Sequence, residues 1–300
     1  MYTRHFGLAE VPFGITPDTS FFFTSAHSQE ALNTLLVAVN NGEGFIKITG
    51  EVGTGKTLLC RKFMGMLDTN FVTAYITNSF LEPRTLLLAL ADELEIVLAK
   101  DIDQHQLLKS IAHRLLLLAR NEKRVVLCLD EAQAIPLESL EMLRLLTNLE
   151  TEKRKLLQIV LFGQPELNRN LETDSIRQLA QRITFQYHLG PLSRDDIDYY
   201  VAHRLRIAGY TGSRLFSRAA IARLYSSSGG IPRLVNIFAN KALMLSYGEG
   251  KQQVSRRHVV LAARDTQASG PRWRHWPWLA GVAGVVLMCV TAGLTWALKR

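Results

Sequence analysis

Apolar residues recur with two spacings, and these alternate along the chain up to about residue 190. Short, nearly continuous apolar runs predict strands that are buried on both faces of a parallel sheet. Apolar residues three and four positions apart predict the helices between them. The predicted strands are 45–49, 71–77, 125–129, 156–162 and 183–189, and the predicted helices are 28–39, one that begins near residue 55, 83–99, 104–120, 139–150 and 177–182. This alternation predicts an α/β fold with a parallel sheet.

From Pro191 onward the spacing of apolar residues is helical throughout. The predicted helices are 195–207, 217–227, 231–247 and 255–263. They predict a small all-helical lid after the sheet. The resulting division is an N-terminal arm and helix packed on the core (1–40), the α/β core (41–190), the lid (191–265), a basic linker (266–278) and a transmembrane helix (279–298).

The segment 279–298 contains no charged residue. At ~1.5 Å per residue a helix of this length spans about 30 Å, which matches the hydrocarbon core of a bilayer. Tryptophans lie near both ends of the segment, as is typical of residues at a membrane interface. No apolar segment follows the first six residues as an export signal would require. We therefore expect a single-pass membrane protein whose N-terminal part is cytoplasmic.

The net charge of +8 is unevenly distributed, because residues 251–300 hold eight basic residues and one acid. The first 250 residues are therefore nearly neutral. A basic region beside an apolar segment favours an anionic membrane surface, and no nucleic acid partner is expected. The three cysteines lie in a helix, a strand and the apolar tail, which is typical of a reducing compartment. No cysteine or histidine spacing is typical of a metal site.

A glycine-rich stretch, 50–57, separates the first predicted strand from the following helix. Its sequence, Gly-Glu-Val-Gly-Thr-Gly-Lys-Thr, is typical of a phosphate-binding loop, in which backbone N–H groups surround a phosphate. Lys56 would contact the β and γ phosphates, and the hydroxyl of Thr57 suits Mg²⁺. The positive end of the helix dipole faces the same anion. The residues predicted to bind nucleotide are Gly50, Glu51, Val52, Gly53, Thr54, Gly55, Lys56, Thr57 and Leu58.

Further candidate residues stand at or beyond the ends of later strands. Asp130 follows the strand 125–129 and is predicted to hold Mg²⁺ beside Thr57, while Glu131 would orient or deprotonate the attacking water. Gln164 follows the next strand, where it would lie near the γ-phosphate. Arg233, in the first turn of a lid helix, could bridge lid and nucleotide. Two arginines before the last strand, Arg177 and Arg182, are placed to reach a neighbouring subunit.

The first forty residues combine prolines with aromatic residues at positions 6, 13 and 21–23. Prolines exclude a continuous helix there. Because the segment directly precedes the first strand, it is a candidate cover for an adenine ring. Equally, it could serve only to complete the core.

Taken together, the sequences 50–57, 129–133, 162–167, 177–182 and 229–233 resemble AAA+ ATPases of bacterial secretion and pilus assembly. The opening residues 6–8, 12–13 and 15–18 are similar to the N-terminus of the general secretion pathway protein A family. The resemblance covers about residues 1–265. It implies a P-loop AAA+ fold, ATP and Mg²⁺ as cofactors, and an enzyme that hydrolyses ATP.

The resemblance also implies individual roles. Gly53, Gly55, Lys56 and Thr57 would bind the phosphates. Thr57 and Asp130 would bind magnesium, and Glu131 would assist hydrolysis. Gln164 becomes the first sensor and Arg233 the second. Arg182 becomes the arginine finger that completes a neighbour's site, with Arg177 as the alternative, so a homo-oligomer is expected.

Long members of this family carry a peptidoglycan-binding domain after the membrane span, whereas this sequence stops at Arg300. The shorter, pilus-type members are therefore the closer match. The resemblance implies an ATPase anchored in the bacterial inner membrane that assists assembly of a type IV pilus or type II secretion complex, with membrane components of that complex as partners. Two alternatives stay open: a DNA-associated ATPase of the transposition-helper or initiator type, and a nucleotide-binding scaffold with negligible turnover.

Overall fold

A parallel sheet of five strands forms the centre of the protein. The computed structural model describes residues 2–77, 80–150, 154–173 and 176–266, and residues 1–262 form one compact unit. The strands lie in the order β2-β3-β4-β1-β5, and every neighbouring pair is parallel. Their bounds are β1 Phe45–Thr49, β2 Phe71–Ile76, β3 Arg124–Leu129, β4 Leu157–Gly163 and β5 Ile183–His188. The predicted α/β fold is confirmed.

Helices cover both faces of the sheet and continue beyond it. Those within the α/β part are α1 Tyr2–Phe6, α2 Ala26–Asn40, α3 Lys56–Met64, α4 Pro83–Glu93, α5 Gln104–Arg120, α6 Leu137–Leu146, α7 Glu166–Leu171 and α8 Arg177–Ala180. The helices after the sheet are α9 Asp196–Ile207, α10 Arg218–Ser228, α11 Pro232–Gly248 and α12 Arg256–Asp265. Short 3-10 turns occupy Thr19–Phe21 and Ala132–Ala134.

Alternate residues of the inner strands enter two separate apolar cores. Phe45, Leu127 and Ile159 pack on one side with the apolar faces of α4, α5 and α6. Ile46, Val126 and Val160, each adjacent in sequence to one of these residues, pack on the other side with α2 and α3. The inner strands are therefore buried on both faces, which explains why they are almost wholly apolar in sequence.

The strand register places three loops beside one another. In β4, Gly163 pairs with Thr49 of β1, and Leu161 pairs with Leu129 of β3. The carboxyl ends of these strands therefore meet at one edge of the sheet. This edge is where open α/β sheets bind ligands.

Several predicted helix bounds are wrong. The helix predicted over 83–99 ends at Glu93, because Glu95 adopts a positive φ of 54° and the N–H of Ile96 turns back to the carbonyl of Ala91. This pattern ends a helix without glycine. The helix predicted over 139–150 runs from Leu137 to Leu146. Helices α1 and α7 were not predicted at all; each is only five or six residues long.

Among the described residues, no helix is long and apolar enough to cross a membrane. The predicted span 279–298 and the linker from residue 267 onward lie outside the described residues. The division of the chain into core and lid stays a prediction.

Candidate active site

The phosphate-loop sequence connects β1 to α3 through two glycines in the left-handed region. Gly53 has φ 84° and Gly55 has φ 101°, and α3 begins directly after Gly55. Gly53 also has a packing requirement, since a Cβ added there would lie 2.6 Å from Cβ of Arg233. Any larger residue would be strained and would push the loop away from α11. The glycine spacing is thus required both by the turn and by close contact.

Lys56 is buried, with only 5% of its surface exposed. Its Nζ donates hydrogen bonds to the carbonyls of Gly50 (2.7 Å) and Glu51 (3.0 Å). Burial lowers the pKa of this amine, although the negative charges of Glu131 and Asp130 partly oppose that shift. A buried ammonium at a helix N-terminus favours the binding of an anion.

Thr57 and Asp130 come together across the cleft. The hydroxyl of Thr57 donates to Oδ2 of Asp130 over 2.6 Å, and the N–H of Glu131 donates to Oδ1 over 3.0 Å. Tyr75 donates to the same carboxylate over 3.4 Å, and burial together with the Asp130 charge raises the pKa of Tyr75 to about 12. The phenol therefore stays protonated as a donor at neutral pH.

The donor set around Asp130 fits magnesium. A hydroxyl and a carboxylate are hard oxygen ligands, and magnesium in nucleotide sites is held by one or two carboxylates plus phosphate and water. No group of three or more His, Cys, Asp or Glu residues in the described part of the chain is arranged to hold a metal by itself. Thr57 and Asp130 therefore suit a metal that arrives with a phosphate ligand.

Glu131 is held by two glutamine side chains. Its Oε2 accepts from Nε2 of Gln133 (2.6 Å) and from Nε2 of Gln164 (3.1 Å). Burial alone would raise the pKa of Glu131, but these hydrogen bonds and the nearby charge of Lys56 lower it. The carboxylate is therefore ionised at neutral pH and able to accept a proton.

Gln133 was not assigned a role from the sequence. Besides its bond to Glu131, its Oε1 accepts from the backbone N–H of Gln164 over 2.9 Å, so it joins the ends of β3 and β4. Its position two residues after Glu131 is the only sequence signal, and surface glutamines are too common for that spacing to be informative.

The two predicted sensor residues both reach the cleft. Gln164 follows β4 directly and contacts Glu131. Arg233 lies in the first turn of α11, where its backbone N–H donates to the carbonyl of Gly53 over 3.1 Å and its side chain lines the cleft. The structure thus places Arg233 against the phosphate loop and Gln164 against Glu131.

The predicted arginine fingers differ in their surroundings. Arg182 donates to the carbonyl of Arg144 (3.4 Å), to Oγ1 of Thr147 (3.1 Å) and to Oδ1 of Asn148 (2.7 Å), all at the C-terminal end of α6. Arg177, at the start of α8, is exposed. The side chain of Arg182 is therefore hydrogen-bonded within its own chain, whereas the side chain of Arg177 is exposed to solvent.

The cleft continues from the phosphate loop to the N-terminal arm. Its walls include Gly14–Asp18 from the arm, Val52–Gly53 from the loop, and Arg204 and Asn236 from the helices after the sheet. An adjoining apolar cavity is lined by Phe21–Phe23. Leu58 and Arg204 border both spaces. Arg204 was not singled out in the sequence, because nothing in its local pattern distinguishes it from a surface arginine.

Comparison with known proteins gives a family match and one related protein. Residues 39–171 match the AAA domain family. General secretion pathway protein A of Aeromonas hydrophila is 44% identical over 263 residues, which cover 88% of this chain and 48% of that protein. The chain therefore spans about half the length of this relative.

Solved structures share the fold at low sequence identity. Cdc6p from Pyrobaculum aerophilum has a TM-score of 0.64 at 18% identity, covering 83% of this chain and 70% of that one. ORC2 from Aeropyrum pernix has a TM-score of 0.62 at 16% identity, covering 83% and 72%. The RuvB branch migration motor of Thermotoga maritima has a TM-score of 0.58 at 14% identity, covering 91% and 81%. At these identities the likeness shows the fold alone.

Proposed function

The chain belongs to the AAA-type ATPases related to general secretion pathway protein A, and from this premise we propose that its ATP hydrolysis assists assembly of a type IV pilus or type II secretion complex at the bacterial inner membrane. The observation that supports this role is the 44% identity to that protein over 263 residues, which are 88% of this chain. Its proposed partners are membrane components of the assembling complex.

The chemistry is assigned to residues of one cleft. Backbone N–H groups of 53–57 and the ammonium of Lys56 bind the phosphates of ATP. Thr57 and Asp130 would hold magnesium, which supplies charge neutralisation at the β and γ phosphates. Glu131 accepts a proton from the water that attacks the γ-phosphorus, and the γ-phosphoryl group leaves ADP. Gln164 and Arg233 position the γ-phosphate.

Completion of the site by a second subunit is part of the proposal. A cation from outside the chain stabilises charge on the transferring phosphoryl group. Arg177 is exposed, while Arg182 is hydrogen-bonded to the end of α6. Arg177 is therefore the better candidate for contact with a neighbour, and we propose a homo-oligomer in which it reaches the adjacent cleft.

The membrane anchor in this proposal is the uncharged segment 279–298. Its length suits a bilayer, and the basic residues before it suit an anionic membrane surface. The ATPase part would then lie on the cytoplasmic side.

Crosslinking within isolated membranes, followed by identification of the captured proteins, tests the assembly role. The Glu131→Gln variant serves as bait because it should retain ATP in the cleft, and Lys56→Ala serves as its nucleotide-free control. Capture of pilus or secretion components by Glu131→Gln above the level of Lys56→Ala supports the proposal. Capture of DNA-bound or ribosomal proteins alone would refute it, and DNA binding with a steep salt dependence would favour a DNA-associated ATPase.

A further inference from the structure

We propose that Arg204 is a positioning residue that holds the N-terminal arm, residues 12–18, as the wall of the cleft that binds the sugar and base of ATP. This inference rests on the proposed ATPase function and adds a residue outside the recognised motifs. It predicts that Arg204 governs affinity for the nucleoside part of ATP rather than for the phosphates.

The guanidinium of Arg204 donates hydrogen bonds to the backbone of the arm. Arg204 lies on α9, and only 6% of its surface is exposed. Its Nε donates to the carbonyl of Pro12 over 2.6 Å, and its Nη2 donates to the carbonyl of Gly14 over 3.4 Å. The planar group also lies over the ring of Phe21, 4.6 Å from its centroid. One side chain therefore binds two carbonyls of the arm and also packs on Phe21, which follows the arm in sequence.

Two further side chains complete this contact. Tyr200 accepts from Nη1 of Arg204 over 3.2 Å and donates to Oδ1 of Asn236 over 2.8 Å. Asn236, on α11, donates in turn to the carbonyl of Gly14 over 3.3 Å. Neighbouring helices thus converge on one carbonyl of the arm, and each member of the network orients the next.

The other end of the arm is attached to α3, the helix that starts at the phosphate loop. Arg61 of α3 donates from Nη1 to the carbonyl of Pro17 over 3.0 Å. Ile15 and Thr16 lie between the two attachments, and residues 14–18 line the cleft together with Gly53, Thr57 and Leu58. With its phosphates on the loop, a nucleotide has its sugar and base directed along this wall.

The cost of burying Arg204 supports a specific role. Removing a guanidinium from water is unfavourable unless its donors are satisfied. In the described part of the chain no acidic side chain forms a salt bridge with Arg204, and its donors go to backbone carbonyls and a phenol. A residue that only filled space there would be apolar. Five donors in a fixed plane are what fixing an irregular backbone segment requires.

The affinities of two ligands distinguish a role of Arg204 in nucleoside binding from general destabilisation of the protein. ATP carries phosphates, sugar and base, whereas inorganic tripolyphosphate carries the phosphates alone. Dissociation constants for both, with Mg²⁺ present, are measured by calorimetry for the wild type, Arg204→Met and Arg204→Lys. The matched control is Arg206→Met, which alters an exposed arginine on the same helix. Steady-state turnover gives kcat and KM for each protein.

Arg204→Met should weaken ATP binding and raise KM about tenfold or more, the effect of losing hydrogen bonds from a charged group. Its kcat and its affinity for tripolyphosphate should stay within about twofold of the wild type, since these depend on the loop and Glu131. Arg204→Lys, which keeps the charge and some donors, should recover part of the loss. Arg206→Met should match the wild type.

The inference is overturned if Arg204→Met weakens ATP and tripolyphosphate equally, lowers kcat with KM unchanged, or has no effect. If Arg204→Met shows no cooperative thermal transition, Arg61→Met tests the other attachment, because Arg61 is exposed and its loss should not prevent folding. Arg61→Met should also weaken ATP binding selectively, and an unchanged affinity would refute the inference. Failure of the wild type to bind ATP would refute the proposed function instead.

Discussion

Glu131 is the residue whose surroundings best explain how the site would work. It has a positive φ of 51°, which is unusual for a residue other than glycine and turns its side chain into the cleft immediately after Asp130. Two glutamine amides donate to one of its oxygens. These bonds favour the ionised carboxylate and direct it, which are both requirements for a general base.

Gln133→Leu should move the acid limb of the pH–kcat profile to higher pH. Glu131 acts only when ionised, and the Gln133 bond helps to hold the pKa of Glu131 below its usual value. Loss of the bond raises that pKa, so activity is lost at a higher pH on acidification. Turnover measured from pH 4 to pH 8 checks this. Gln186→Leu, on the exposed face of β5, is the control, and an identical acid limb in Gln133→Leu and wild type would contradict the assignment.

The roles of some site residues can be predicted from the sequence, and those of others cannot. Lys56, Thr57 and Asp130 follow from local spacing, because a phosphate loop and an apolar strand fix where their ends lie. Gln133 and Arg204 do not, since Gln164, which Gln133 joins to Glu131, lies 31 positions away, and the arm carbonyls that Arg204 contacts lie about 190 positions away. Only the packing of the strand ends and of α9 against the arm gives these two side chains a role.

At the scale of secondary-structure elements, the end of α6 is fixed by a side chain from another part of the chain. Carbonyls at a helix C-terminus lack partners within the helix. Arg182 donates to the carbonyl of Arg144 in the last turn of α6, and to the side chains of Thr147 and Asn148 directly after the helix. The cationic group also complements the negative end of the helix dipole.

Arg182→Met should lower the free energy of unfolding by about 1–3 kcal/mol, because it removes hydrogen bonds from a charged donor. Arg177→Met should leave stability within about 0.5 kcal/mol, as is usual for an exposed position. In ATP turnover the order should reverse, with Arg177→Met the more impaired in the assembled protein. Urea denaturation and steady-state kinetics check both claims. A stable Arg182→Met that has lost turnover would make Arg182 the finger instead.

Element types were more predictable than element ends. All five strands and the longer helices follow from apolar spacing, which reports burial directly. The end of α4 does not, because Glu95 takes a left-handed conformation that sequence patterns assign to glycine or asparagine. Helix α7 was missed because its six residues are too short for a periodic signal.

At the scale of the whole molecule, charge and hydropathy divide the chain into two regions. Residues 1–250 are nearly neutral, and the basic excess lies beside the uncharged segment 279–298. This distribution motivates the proposal of a membrane-anchored ATPase. The segment itself lies outside the described residues, and membrane fractionation tests whether it anchors the protein.

A chain truncated after Thr266 should leave the membrane fraction and remain folded, because residues 1–262 form one compact unit. The full chain should sediment with membranes and resist extraction by high salt, as an inserted helix does. Lys56→Ala should sediment like the wild type, since nucleotide binding and insertion involve separate regions. Membrane retention of the truncated chain would show that its anchor lies within the first 266 residues.

The central claim is that this chain hydrolyses ATP at the cleft formed by Lys56, Asp130 and Glu131. The most direct test is the ATP turnover of Glu131→Gln, measured alongside its affinity for ATP. Loss of the general base should lower kcat by about 10²–10⁴-fold, while ATP affinity stays near that of the wild type because the phosphate loop is intact. Turnover by Glu131→Gln at the wild-type rate would contradict the account.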